Sequence, residues 1–190
     1  MATVLMIIAP EGFRDEELFL TQVELEKAGH KIVIASLVKG VCRRSHGGSA
    51  TATLILAEIE VENYEAVVFV GGNGSKVYFT NRDALRIAQE MAGQGKVVAA
   101  ICVAPVILAN AGLLQGKNST VFGSEIKAIE GKGAKYTGAG LRWTPILLPA
   151  MARRAPDCLA GRSMHACNVT ALHANSQGKQ GAAHQPIGGE

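Results

Sequence analysis

Apolar residues in the first hundred positions follow two alternating rhythms. Short unbroken runs rich in Val and Ile occur at Thr3 to Ala9, Lys31 to Ser36, Ala66 to Val70 and Val97 to Ile101. Runs of this length, apolar on both faces, mark strands buried inside a parallel sheet. Between them, apolar residues recur at helical spacing. Asp15 to Ala28 carries Leu18, Val23, Leu25 and Ala28 on one stripe, with Gly29 as a stop. Arg82 to Ala92 repeats the logic with Leu85, Ile87, Ala88 and Met91. Residues 40 to 56 alternate more loosely around Ser45-His46-Gly47-Gly48 and read as a small hairpin laid beside the sheet. This alternation predicts an α/β fold, a doubly wound and mostly parallel sheet with flanking helices, flavodoxin-like in type. Sites in such folds lie at the carboxyl ends of the strands.

Three strand ends carry candidate chemistry. After the first strand come Glu11, Asp15, Glu16 and Glu17, acids of which most serve an ordinary role in the first turn of a helix, where the dipole favours them. After Val70 comes Gly71-Gly72-Asn73-Gly74-Ser75, a turn whose backbone N–H groups can approach a bound oxygen. It is neither a phosphate-binding Walker loop, since no Gly-Lys-Ser/Thr follows, nor a GxGxxG motif. After Ile101 comes Cys102, where an apolar strand runs into an apolar helix with no intervening loop and Pro105 fits the first helical turn. A thiol there would feel unpaired N–H groups and the positive end of the helix dipole, which favour thiolate. Two readings of Cys102 stay open on these residues, a nucleophile or one more small buried hydrophobe.

Composition narrows the class. The chain has 190 residues, 48% hydrophobic and 18% charged, enough for one domain with a sizeable core. The first strand lacks a basic leader and is too short to span a bilayer, so no membrane partner is expected. Four cysteines, at 42, 102, 158 and 167, form no CxxC pair. Without a signal segment this predicts free thiols in a reducing cytoplasm and no metal site. Cys158, His165, Cys167 and His173 fit no zinc-finger spacing. The net charge of +3 arises entirely beyond residue 140, because residues 1–140 carry 14 basic and 14 acidic side chains. A neutral body with 5% aromatic residues gives nucleic-acid binding no support.

The ordered motifs resemble the ThiJ/PfpI superfamily, which includes the Parkinsonism-associated deglycases and the PfpI-type intracellular proteases. They are Glu-Gly-Phe-x-Asp-x-Glu-Leu at Glu11 to Leu18, Ala-Gly-His-x-Val at Ala28 to Val33, the Gly71-Gly72 turn, Ala-Ile-Cys-x-x-Pro ending at Pro105, and Gly112-Leu113-Leu114-Gln115-Gly116-Lys117. The resemblance covers residues 1–140 and implies a fold shared with class I glutamine amidotransferases. It implies that Cys102 is the nucleophile and Glu17 its acidic partner. Gly72 and Val103 would supply backbone N–H groups to an oxyanion, with Gly71 beside them. The activity implied is cofactor-independent handling of small reactive aldehydes of the methylglyoxal class, or of their thiol and amine adducts, by a cytoplasmic homodimer. The alternative within the family is a redox-sensing or chaperone-like stress protein that turns nothing over.

Departures from the family pattern are as informative. The hydrolase-like branch has His-Gly after its cysteine, where this chain has Val103-Ala104, and a carboxylate after its glycine turn, where this chain has Asn73-Gly74-Ser75-Lys76. The deglycase branch takes a histidine from a later segment, and Thr120 to Glu125 contains none. A Cys-His dyad is therefore unsupported, and with it peptidase or amidotransferase chemistry. His30 reads as structural, His46 as structural or interfacial, and Cys42 as a second oxidisable thiol. Residues 141–190 form an atypical tail that no longer follows the family. One reading is a shifted frame, in which Trp143-Thr144 must give Asp and Met151-Ala152 must give Gly, and the other codons permit the family's Asn-Gly-Pro continuation. The others are a poorly ordered segment, or a compact tail packing Trp143 and Ile146 to Leu148 on the body.

Overall fold

Strand β1 (Thr3–Ile7) lies at the centre of the molecule, with Leu5, Met6 and Ile7 wholly buried. The computed structural model describes residues 1–44 and 47–138, together with the backbone of 141–143 and 169–173. From β1 the chain passes through a three-residue strand, β2 (Glu11–Phe13), into helix α1 (Asp15–Lys27), and returns as β3 (Lys31–Ser36), parallel to β1. It then leaves the sheet for an antiparallel hairpin, β4 (Gly40–Arg44) and β5 (Ser49–Ala52), and rejoins its edge at β6 (Leu54–Ile55). Strand β7 (Ala66–Phe69) pairs parallel with β1 on the side opposite β3. Helix α2 (Arg82–Gly93) then leads to β8 (Val97–Ile101), parallel to β7. Because β3 and β7 flank β1 on opposite sides, right-handed crossovers place α1 and α2 on opposite faces of the sheet. The sequence is thus doubly wound, as expected.

Beyond β8 come α3 (Pro105–Asn110), the two-residue strand β9 (Asn118–Ser119), α4 (Ile126–Glu130) and β10 (Lys135–Tyr136), which pairs with β9 away from the main sheet. Two further backbone segments, β11 (Leu141–Trp143) and β12 (Val169–His173), extend the main sheet. Its order is β11-β12-β8-β7-β1-β3-β6, parallel except where β12 runs against β8. The expectations for the remainder of 141–190, with Cys158, His165, Cys167 and the frame of the tail, lie outside the described residues, as does His46.

The four predicted strands and two predicted helices form within two residues of their expected bounds. Three details differ, while the hairpin lies beside the sheet as expected, with β2 pairing to β4 to make it a second, three-stranded sheet. Cys42 within it is fully buried, which puts a second oxidisable thiol out of solvent's reach. Val23, expected on the inward stripe of α1, is exposed, while Leu18 and Leu25 face the core. Residues Ile32 to Ile34 of β3 are only half-buried, since just the two residues of β6 lie outside that strand. Among the described residues no helix is long and apolar enough to cross a membrane.

Candidate active site

The chain order changes sides between β1 and β7, and at such a switch point the strand ends leave a crevice. Three segments meet there: the first turn of α1, the glycine loop after β7 and the turn after β8. Cys102 is the only described non-glycine residue with positive φ, at 59°. That conformation costs on the order of 1 kcal/mol or more for a residue with a Cβ, and it persists because its surroundings fix it. It turns the chain sharply, so that residues 102–104 form a turn before α3 starts at Pro105. The direct strand-to-helix junction expected from the sequence is therefore a three-residue elbow. The Phe122 N–H donates to the Cys102 carbonyl at 2.8 Å and pins this elbow from the segment that follows β9.

Glu17 points inward from α1 and is only 5% exposed, the most unusual burial in the helix. Its Oε2 accepts the Gly71 N–H at 2.8 Å, while the Gly71 carbonyl accepts the Arg14 N–H at 3.1 Å. The first turn of α1 thus grips one glycine residue by both its backbone polar groups. Gly71 has to be glycine, because a Cβ would sit 2.6 Å from Glu17 Oε2 and 2.7 Å from both Cys102 Cβ and the Ile101 carbonyl oxygen. Gly72, at φ 97°, presses so closely on β2 that a Cβ would lie 2.5 Å from the Gly12 carbonyl oxygen.

The five residues singled out in the sequence, Glu17, Gly71, Gly72, Cys102 and Val103, are brought together. The Glu17 carboxyl and the N–H groups of Gly72 and Val103 all hydrogen-bond the Cys102 sulfur. Burial pushes the Glu17 carboxyl up to about 7, against the opposing pull of the Gly71 N–H and the Arg14 charge. Burial, and then the negative charge of Glu17, push the Cys102 thiol up to about 12. The expectation that the elbow alone favours thiolate is corrected accordingly. Helix α3 starts three residues later and is only six residues long, so its dipole is remote, whereas the carboxylate is in contact. When Glu17 holds the proton, its opposing charge is gone, leaving burial against the thiolate and the two N–H groups in its favour. In contact, the two groups titrate as a coupled pair, the ionisation of one opposing that of the other.

Sequence reasoning passed over three neighbours. Arg14 stands 4.0 Å from Glu17 Oε1 through Nε, and 3.4 Å from Glu16. Lys76, in the short 3-10 turn Asn73–Tyr78, pairs at 3.0 Å with Glu125 and so ties the glycine loop to the segment holding the elbow. Phe122 is half-exposed beside the elbow. None sits at a motif position, and each comes close only through the fold. His30 accepts the Ala2 N–H through Nδ1 at 3.3 Å, the structural role expected of it.

A conserved-domain description, the DJ-1/PfpI family, matches residues 2–151. The chain belongs to the DJ-1/PfpI family. The match runs past residue 140, where the sequence resemblance was read to stop. Relatives agree with it. An uncharacterised protein of Methanocaldococcus jannaschii is 41% identical over 143 residues, covering 74% of this chain and 70% of that protein. The deglycase PfpI of Pyrococcus furiosus is 35% identical over 118 residues, covering 62% of this chain and 71% of the relative. Among solved structures, a ThiJ/PfpI domain protein from Brachyspira murdochii superimposes with a TM-score of 0.71 at 28% identity, over 73% of this chain and 80% of that one. The DJ-1/PfpI fold therefore accounts for the mostly parallel sheet with its flanking helices.

Proposed function

We propose that this chain is a cysteine-dependent enzyme acting on small reactive aldehydes of the methylglyoxal class or on their thiol and amine adducts. The observation that carries this reading is the sulfur of a positive-φ cysteine met by one buried carboxyl and two backbone N–H groups. Support comes from relatives that bear the name deglycase, among them the one from Pyrococcus furiosus.

In this reading the Cys102 sulfur adds to the aldehyde carbon, and the proton of the pair passes to Glu17. The carbonyl electrons become an oxyanion that the Gly72 and Val103 N–H groups stabilise. The hydrogen of the aldehyde carbon then leaves as a proton and a proton is delivered to the neighbouring carbon. One carbon is thereby oxidised and the other reduced, with no external oxidant. The thioester that results is hydrolysed by water, releasing lactate and restoring the thiol. A carboxyl whose proton comes off at about 7 suits both proton transfers at neutral pH. No histidine stands at Val103 or within Thr120 to Glu125, so among the described residues at the site Glu17 carries the acid–base work.

The test is lactate formation from methylglyoxal by the wild type, Cys102→Ser and Glu17→Gln. Turnover lost in the first variant and reduced by at least about 100-fold in the second supports the reading. A folded wild type that makes no lactate favours a redox-responsive protein in which Cys102 is oxidised and nothing is turned over.

A further inference from the structure

Arg14 occupies the residue just before α1, where a side-chain cap such as Asn or Ser is usual, and its side chain makes no capping hydrogen bond. Instead its guanidinium lies over the first turn, 3.4 Å from Glu16 and 4.0 Å from Glu17 through Nε, and remains 29% exposed. Its backbone meanwhile donates to the Gly71 carbonyl. One residue thus reaches both the loop and the carboxyl that build the site, and it meets the sulfur only through Glu17.

We propose that Arg14 is a positioning residue for the reactive pair, holding the Glu17 carboxyl against the Cys102 sulfur and stabilising the single negative charge that the two groups carry after losing one proton. The inference rests on the proposed reading of Cys102 as the reacting group. Its sign does not depend on which partner keeps the remaining proton, since a cation beside the pair favours the singly ionised form either way. Other charges near the pair do not duplicate this role. Glu16 opposes it. Asp15 pairs with Arg44 of β4 at 2.6 Å, and Lys76 with Glu125 at 3.0 Å. The glycine loop and the elbow contribute backbone N–H groups from Gly71, Gly72 and Val103.

The experiment follows the rate of iodoacetamide labelling at Cys102 from pH 5 to 10, read by mass spectrometry on the Cys102 peptide so that the other cysteines do not interfere. Arg14→Gln is expected to move the midpoint up by about one pH unit, slowing labelling below the midpoint about tenfold, and Arg14→Lys to restore most of the shift. In the Glu17→Gln background the Arg14→Gln change should move the midpoint by less than half as much. An unmoved midpoint in a folded Arg14→Gln protein overturns the inference, and so does a shift that is undiminished when Glu17 is replaced. Lactate formation is measured on the same samples. A shifted labelling midpoint in a protein that makes no lactate would sink the enzymatic reading and leave the role of Arg14 standing.

Discussion

Helices α1 and α2 are similar in length, connect parallel strands in the same sheet and end in the same way, yet they begin differently. Each is closed by a glycine at positive φ, Gly29 or Gly95, with a following N–H reaching back, His30 to Leu25 and Lys96 to Met91. Helix α2 opens on Asn81, whose side chain accepts the Ala84 N–H at 2.9 Å, and it buries Ala84, Ile87, Ala88 and Met91 on one stripe. Helix α1 opens on Arg14 with no side-chain cap, buries the carboxyl of Glu17, and exposes Phe19, Leu20 and Val23. One helix obeys every local rule and the other breaks several within its first three turns. Local rules are commonly broken at functional sites, and the buried acid of α1 is the break that reaches Cys102, the proposed nucleophile.

The sharpest way to break this contrast is to press on the α1 side of the site. Gly71→Ala forces a methyl against Glu17, Cys102 and the Ile101 carbonyl. The proposed turnover of methylglyoxal should fall by about 100-fold or more, because a displacement near 1 Å misplaces the sulfur. Turnover within a factor of two of wild type would show that the glycine grip is dispensable. Ile87→Ala on α2 should cost about 3 kcal/mol in urea unfolding while leaving turnover per folded molecule unchanged. A loss of turnover there would erase the division of labour between the helices.

A pH series sharpens the same contrast. The Glu17 carboxyl sits at 4.5 in the unfolded chain and at about 7 in the fold, so the native state holds its proton more tightly. Its contribution to stability is then full below pH 4.5, is lost as pH rises to about 7, and stays lost above that. The loss amounts to about 3 kcal/mol. Urea midpoints at pH 4.5 and 8 should differ by less in Glu17→Gln than in wild type, and the variant should be the more stable of the two at pH 8. Equal pH dependence in both proteins would contradict the burial of this charge. The smallest expected effect is Asn81→Ala, about 1 kcal/mol from the lost cap of α2, with labelling of Cys102 and turnover untouched.

The legibility of this protein divides along the same line. Strands β1, β3, β7 and β8 could be read from the sequence because their Val and Ile runs are long enough to outweigh any local alternative. Helix α2 could be read because its stripe and its stop agree. Strand β2 could not, since three residues carry no periodicity and Glu11–Phe13 pairs only because β4 arrives beside it. The same holds for β6, β9 and β10, two residues each. Val23 of α1 fits the helical stripe and yet faces outward, because the sheet beneath that helix meets Leu18 and Leu25 instead.

By itself the sequence determined the alternating α/β frame, the three strand ends that carry the candidate residues, and a motif order sufficient to point to the family and to Glu17, Gly71, Gly72, Cys102 and Val103. Local periodicity and residue type suffice for these, because each is written within a few consecutive positions. Tertiary structure alone decided the state of the site. The pressure that moves the Cys102 thiol up to about 12 and the Glu17 carboxyl up to about 7 comes from burial and from mutual contact between groups 85 residues apart (102 − 17). The place of Arg14 beside them was decided in the same way. Desolvation and Coulomb energies depend on distance and on what excludes water, and neither is written in the order of the residues.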